Sequence, residues 1–143
     1  MECKLNKKRV LIGGLAAGVW INICEMVTHH CILMDRYKWL AQQGISLAHP
    51  RLYFFPVYPI MMLIGGIILA WMYGATRDTL GPGAVTAMKV GFVAFLLAGV
   101  PSNYTAAAWS PIGKFIPFVC MVAAFIECVL GALIAGAIYK PKP

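Results

Sequence analysis

The chain has 143 residues, of which 61% are hydrophobic and 12% charged, with a formal net charge of +7. Ordinary soluble domains carry roughly 25% charged residues, and a soluble chain this short has too little interior to keep so much apolar surface from water. The excess positive charge sits at the flanks of apolar runs rather than in a basic stripe interleaved with aromatics, which excludes a nucleic-acid partner and points to the lipid bilayer.

A membrane-crossing helix needs about 20 mainly apolar residues. The first qualifying run covers residues 10–34 and follows a basic cluster of Lys4, Lys7, Lys8 and Arg9. A cleaved leader would be shorter and would end in a small-residue exit, so this run is read as a retained span. At about 100° per residue, Gly14, Gly18, Asn22, Glu25 and His29 fall within an arc of about 80°, with His30 outside it. Gly14 and Gly18 form a GxxxG, so the stripe begins as a close-packing face and ends as a polar one.

The longest connection, residues 35–56, mixes Tyr37, Trp39, Tyr53, Phe54 and Phe55 with Arg36, Lys38 and Arg51. Amphipathic aromatics and basic residues favour the headgroup zone, so an interfacial segment is expected. A docking surface or a lid over a pocket is the sharper alternative. His49 is the only histidine outside the first span.

The second span is expected over residues 57–73, introduced by Pro56 and Pro59. Gly81-Pro82-Gly83 makes the next turn. The third span covers 84–109, with Lys89 snorkelling to the nearer interface. Inside it, Pro101 interrupts the backbone ladder, and the following Ser102, Asn103 and Thr105 are expected to serve the freed carbonyls. Asn103-Tyr104-Thr105 also matches a glycosylation sequon, a weak signal. Ser110-Pro111 separates the fourth span, 115–139, whose Ala123, Glu127, Gly131 and Ala135 again flank a carboxylate with small residues.

Four spans make an all-α, polytopic four-helix transmembrane bundle in one domain, residues 1–143. With the N-terminus inside, the cytoplasmic side holds Lys4, Lys7, Lys8, Arg9, Arg77, Lys89, Lys140 and Lys142, and the outer side holds Arg36, Lys38, Arg51 and Lys114. The positive-inside rule therefore predicts both termini in the cytoplasm.

Ionisable groups in hydrocarbon are costly, so Glu25, His29 and Glu127 are candidate site residues, with Asn22, Gly14 and Gly18 beside them. At 1.5 Å per residue, Glu25 lies about 22 Å from residue 10 and Glu127 about 18 Å from residue 139. Because the first and fourth spans run antiparallel, the two carboxyls are expected at similar depth. A purely structural reading makes them neutral acids hydrogen-bonded between helices, since a neutral acid is far cheaper in lipid than a charged one. A functional reading makes them a proton or cation path with His29. A third reading places a metal or haem at Glu25 and His29, which are i, i+4, but the other spans supply no histidine and no cofactor is specified. The five cysteines, Cys3, Cys24, Cys31, Cys120 and Cys128, form no CxxC or zinc spacing, and no structural disulfide is expected.

The stretches GGLAAGVWINICE (13–25) and WMYGATRDTLGPGAVTAMKVG (71–91) resemble a loose group of small, uncharacterised four-helix membrane proteins of bacteria. That resemblance implies a bacterial inner, or plasma, membrane and carries no chemistry, because its shared positions are glycines, turn residues, Asn22 and Glu25. No hydrolase, nucleotide-binding, metalloprotease or dinucleotide signature is present, so an enzyme is not indicated. The leading expectation is an accessory or structural subunit that packs against other membrane proteins or itself; the alternative is a small proton or cation transporter or channel using Glu25, Glu127 and His29.

Overall fold

The computed structural model describes residues 5–46 and 54–141. Its elements, in chain order, are α1 (Lys7–Ile32), α2 (Met34–Gln42), α3 (Val57–Leu80), α4 (Ala84–Trp109) and α5 (Phe115–Ile138). No strand occurs among the described residues. Helices α1, α3, α4 and α5 are each long and apolar enough to cross a membrane.

The boundaries differ from the expected ones in two places. α1 begins at Lys7 because Asn6 caps it, its side chain accepting from the Arg9 N–H; satisfying an orphan amide outweighs the polarity of Lys7, Lys8 and Arg9. α3 runs on past Tyr73 to Leu80. Its polar last turns remain helical, with the Thr76 hydroxyl donating to the Met72 carbonyl at 2.8 Å, and the true stop is Gly81 at φ 85°. Hydropathy marks where lipid ends, whereas the helix ends where a residue tolerates left-handed backbone.

Two of the spans contain a wider π turn. In α1 it covers Val27–Ile32, with Leu33 N–H bonded to the Thr28 carbonyl. In α4 it covers Phe95–Gly99 and directly precedes Pro101, which has no N–H to give and whose ring crowds the turn before it. Widening that turn relieves the clash without ending the helix. Ser102 Oγ donates to the Ala98 carbonyl at 2.6 Å, and Asn103 Nδ2 to the Gly99 carbonyl at 2.8 Å.

α1 packs on α3 and α5, α4 packs on the same two helices from the other side, and α3 touches α5 across the middle. The interior is built from small residues: Ala17, Ala70, Ala132 and Ala135 are fully buried. Large apolar side chains point outward instead, among them Leu97 (71% exposed), Phe118 (66%) and Trp109 (86%). This is the reverse of a water-soluble domain and suits an oily exterior.

The α1–α3 contact follows a regular antiparallel ladder. Gly14 lies against Ile67 and Gly18 against Leu63, where a Cβ on Gly18 would stand 2.6 Å from the Leu63 Cα. Gly66 fits the notch between Gly14 and Gly18. One turn further on, Asn22 Nδ2 donates to the Pro59 carbonyl at 3.2 Å. On the other flank Gly13 meets the Ala135 backbone, and Gly131 meets Ala17 and Ile21. Both small-residue stripes are therefore consumed inside the chain.

Segment 35–56 contains a feature hydropathy does not reveal: the nine-residue helix α2. Leu33 and Leu40, both buried, pack with Ile116 at the start of α5, which seats α2 over the end of the bundle remote from the termini. Its outer face is polar, with Arg36 stacked on Trp39 at 4.4 Å and Lys38 beside Asp35 at 3.8 Å. An amphipathic helix of this kind suits an interface. His49, Arg51 and Tyr53 lie outside the described residues.

Candidate functional site

The ladder of α1 leads from glycines into polar groups. Glu25 stands 20% exposed, and its Oε2 lies 2.9 Å from His29 Nε2, one turn on. His29 Nδ1 is hydrogen-bonded at 3.0 Å to the Tyr37 hydroxyl of α2, and the two rings stack. From α3, the Tyr58 hydroxyl comes within electrostatic range of Glu25. From α5, Cys120 meets the Tyr37 hydroxyl, and Glu127 comes within electrostatic range of both Glu25 and Cys24. Four elements thus converge on one polar cluster.

Glu127 is only 6% exposed, and its Oε1, like Oε2 of Glu25, has no hydrogen-bond partner among the described residues. A buried carboxyl oxygen without a hydrogen bond is costly, so both acids are unsettled. Tyr37 lies outside the long helices, and its hydroxyl is pushed up to about 12 by burial, with Cys120 and Glu25 adding to the effect. It is therefore a neutral hydroxyl throughout the physiological range.

The cluster occupies one half of the bundle. Tyr37, Tyr58 and Cys120 lie at or near the α2 end, and Glu127 marks the deepest point. Beyond it, toward the termini, come Ala17, Gly18, Gly131 and Ala135, closely packed and without polar side chains. The arrangement is a polar cluster beside α2, followed toward the termini by closely packed small residues.

Of the residues singled out in the sequence, Glu25, His29 and Glu127 are brought together. Asn22 is a cross-helix hydrogen-bond donor to α3, and Gly14 and Gly18 are contact points for α3. His30 is exposed and apart from the cluster. Tyr37, Tyr58 and Cys120 were not legible as site residues, because interfacial tyrosines and a helical cysteine each have an ordinary reading. Cys24, Cys31, Cys120 and Cys128 are free thiols. Among the described residues, no three His, Cys, Asp or Glu side chains gather closely enough to hold a metal ion. No family model, curated protein or solved structure matches the chain, so the resemblance noted above rests on its two glycine-rich stretches alone.

Proposed function

We propose that this chain is a four-span membrane protein, both termini cytoplasmic, that binds and translocates protons or small cations through Glu25, His29 and Glu127. The observation that carries this reading is the 2.9 Å approach of His29 to Glu25 with a second, deeply buried carboxyl within electrostatic range. Ionisable groups placed together at membrane depth exchange charge with one another at a cost that structural hydrogen bonds do not require. The close Gly14–Gly18–Gly66 packing lies between the cluster and the terminus end of the bundle, so a transport cycle must loosen that contact.

Reconstituted into liposomes, the protein should carry a proton or monovalent-cation flux that falls at least tenfold in Glu25→Gln and in Glu127→Gln. Unchanged flux in both variants, or no flux in the parent protein, overturns the proposal.

The alternative, an accessory subunit of a larger membrane complex, draws on the short connections at 81–83 and 110–114. Because both glycine stripes are occupied internally, its partner would sit on the outward-facing large side chains. A blue-native gel of gently solubilised membranes tests it: a lone species or simple homo-oligomer counts against it.

A further inference from the structure

The polar cluster has a direction. Leu33 at the end of α1 packs with Ile116 at the start of α5, so depth along both helices can be counted from one level. At 1.5 Å per residue, His29 lies about 6 Å from that level, Glu25 about 12 Å and Glu127 about 17 Å. Exposure falls in the same order: 35% and 20% for the His29 and Glu25 side chains, and 6% for Glu127 as a whole. The three groups form a descending series from the α2 end toward the middle of the bundle.

At the head of the series the His29 ring is engaged on both sides. Nδ1 is hydrogen-bonded to the Tyr37 hydroxyl at 3.0 Å, and Nε2 stands 2.9 Å from Glu25 Oε2. Atoms that share a hydrogen lie roughly 2.7–3.2 Å apart. An ion held in line between them, at about 2.0 Å or more from each, would keep them about 4 Å apart. A cation also needs a free lone pair from the ring, and both ring nitrogens already face protein groups. Glu25 Oε2 and Glu127 Oε1 are buried without a hydrogen bond among the described residues, so each keeps an acceptor position open for a proton leaving the ring.

We infer that the species carried is the proton and that His29 is its relay from Tyr37 to Glu25. The inference rests on the transport reading above and names its substrate. The ring takes a proton on Nδ1 from the Tyr37 hydroxyl as that oxygen takes one from water at the α2 end. It releases the proton on Nε2 to Glu25 Oε2, which becomes a neutral acid. The ring is neutral before and after, and a half-turn about its Cβ–Cγ bond restores it. Glu127, within electrostatic range of Glu25, is the next acceptor. Histidine passes protons in this way because its two nitrogens point in opposite directions, and histidine–carboxyl series serve as relays at membrane depth.

The test uses the full-length chain in liposomes that hold a pH-sensitive dye. The titratable groups around the ring are Glu25 and Cys24 of α1, Tyr37 of α2, Tyr58 of α3, and Cys120 and Glu127 of α5, so variants are compared at one pH. A pH gradient should drive proton flux with choline as the only other cation. A sodium or potassium gradient at symmetric pH should drive none above protein-free liposomes. His29→Gln keeps a polar side chain but cannot relay, and should lower proton flux about tenfold or more. Added imidazole should restore part of that flux in His29→Gln and none in Glu25→Gln, a rescue that a merely structural loss does not allow. Should His29→Gln fail to fold, Tyr37→Phe keeps the ring stack, removes the hydroxyl and should lower the flux in the same direction. Sodium or potassium flux at symmetric pH comparable to the proton flux overturns this proposal and leaves the transport reading standing. So does proton flux that survives both His29→Gln and Tyr37→Phe unchanged. Absence of flux for every ion removes both.

Discussion

The Tyr37 hydroxyl holds His29 by Nδ1 at 3.0 Å. On the other side of the ring, His29 Nε2 lies 2.9 Å from Glu25 Oε2. Helix α2 therefore holds the His29 ring beside Glu25. Removing the tyrosine frees the ring to turn and to exchange its nitrogens.

Tyr37 gives a pH signature. Its hydroxyl ionises near 10 in the unfolded chain and near 12 in the folded one. Below 10 both states hold the proton and the group adds no pH dependence. Between about 10 and about 12 only the unfolded chain releases it, so folding stability falls as pH rises through that window. Thermal unfolding of the parent protein should steepen its decline above pH 10 relative to Tyr37→Phe, and an ultraviolet titration should lose one late-ionising phenol in that variant. Identical profiles would show that α2 does not bury the ring.

Asn22 crosses from α1 to α3. Asn22→Leu keeps the bulk and removes the donors to the Gly18 and Pro59 carbonyls. Interhelical hydrogen bonds in membrane proteins are worth about 0.6 kcal/mol on average and about 1.7 at most. Stability in mixed-detergent unfolding should drop by about 0.5–1.5 kcal/mol. A gain would mean that the bond is not made in the folded protein.

The adjacent glycines Gly65 and Gly66 should behave oppositely. A Cβ at Gly66 runs into Gly14 and Gly18, whereas a Cβ at Gly65 meets nothing within 4 Å. Gly66→Val should cost about 3 kcal/mol or more, or prevent folding, by driving α1 and α3 apart. Gly65→Ala should be neutral or mildly stabilising, since alanine is the better helix former. Equal effects, read from thermal midpoints, would contradict the ladder.

Orientation is testable through the free thiols. Cys31 is exposed near the α2 end of α1, and that end should face outward if both termini are cytoplasmic. A membrane-impermeant maleimide added to intact cells should label the parent protein and not Cys31→Ser. Labelling only after the membrane is opened would invert the topology.

The amphipathic logic of the chain was open to sequence reasoning where periodicity governs. Gly14, Gly18, Asn22 and Glu25 lie on one face because helical geometry puts them there, and α3 meets that face as a GxxxG implies. The stripe of Ala123, Glu127, Gly131 and Ala135 likewise faces inward. Which helix meets which stripe is a tertiary matter, and pattern alone carries no such information. Tyr58 and Tyr37 complete the cluster only because α3 begins, and α2 folds back, beside the polar turn of α1. Helix α2 itself escaped notice because nine residues with several charges fall below any hydropathy threshold, and its anchor is Leu33 and Leu40 against Ile116, a contact 76 residues away in the chain for the nearer pair.

The two ends of the described chain are tied to each other. Asn6 N–H donates to the Tyr139 hydroxyl at 3.3 Å and Asn6 Nδ2 to the Lys140 carbonyl at 3.0 Å, while Arg77 lies over the Tyr139 ring at 5.4 Å. The cap that starts the first helix is thus completed by residues synthesised more than 130 positions later. The start of α1 is completed only once the end of α5 has packed beside it, and a contact this distant in sequence forms slowly.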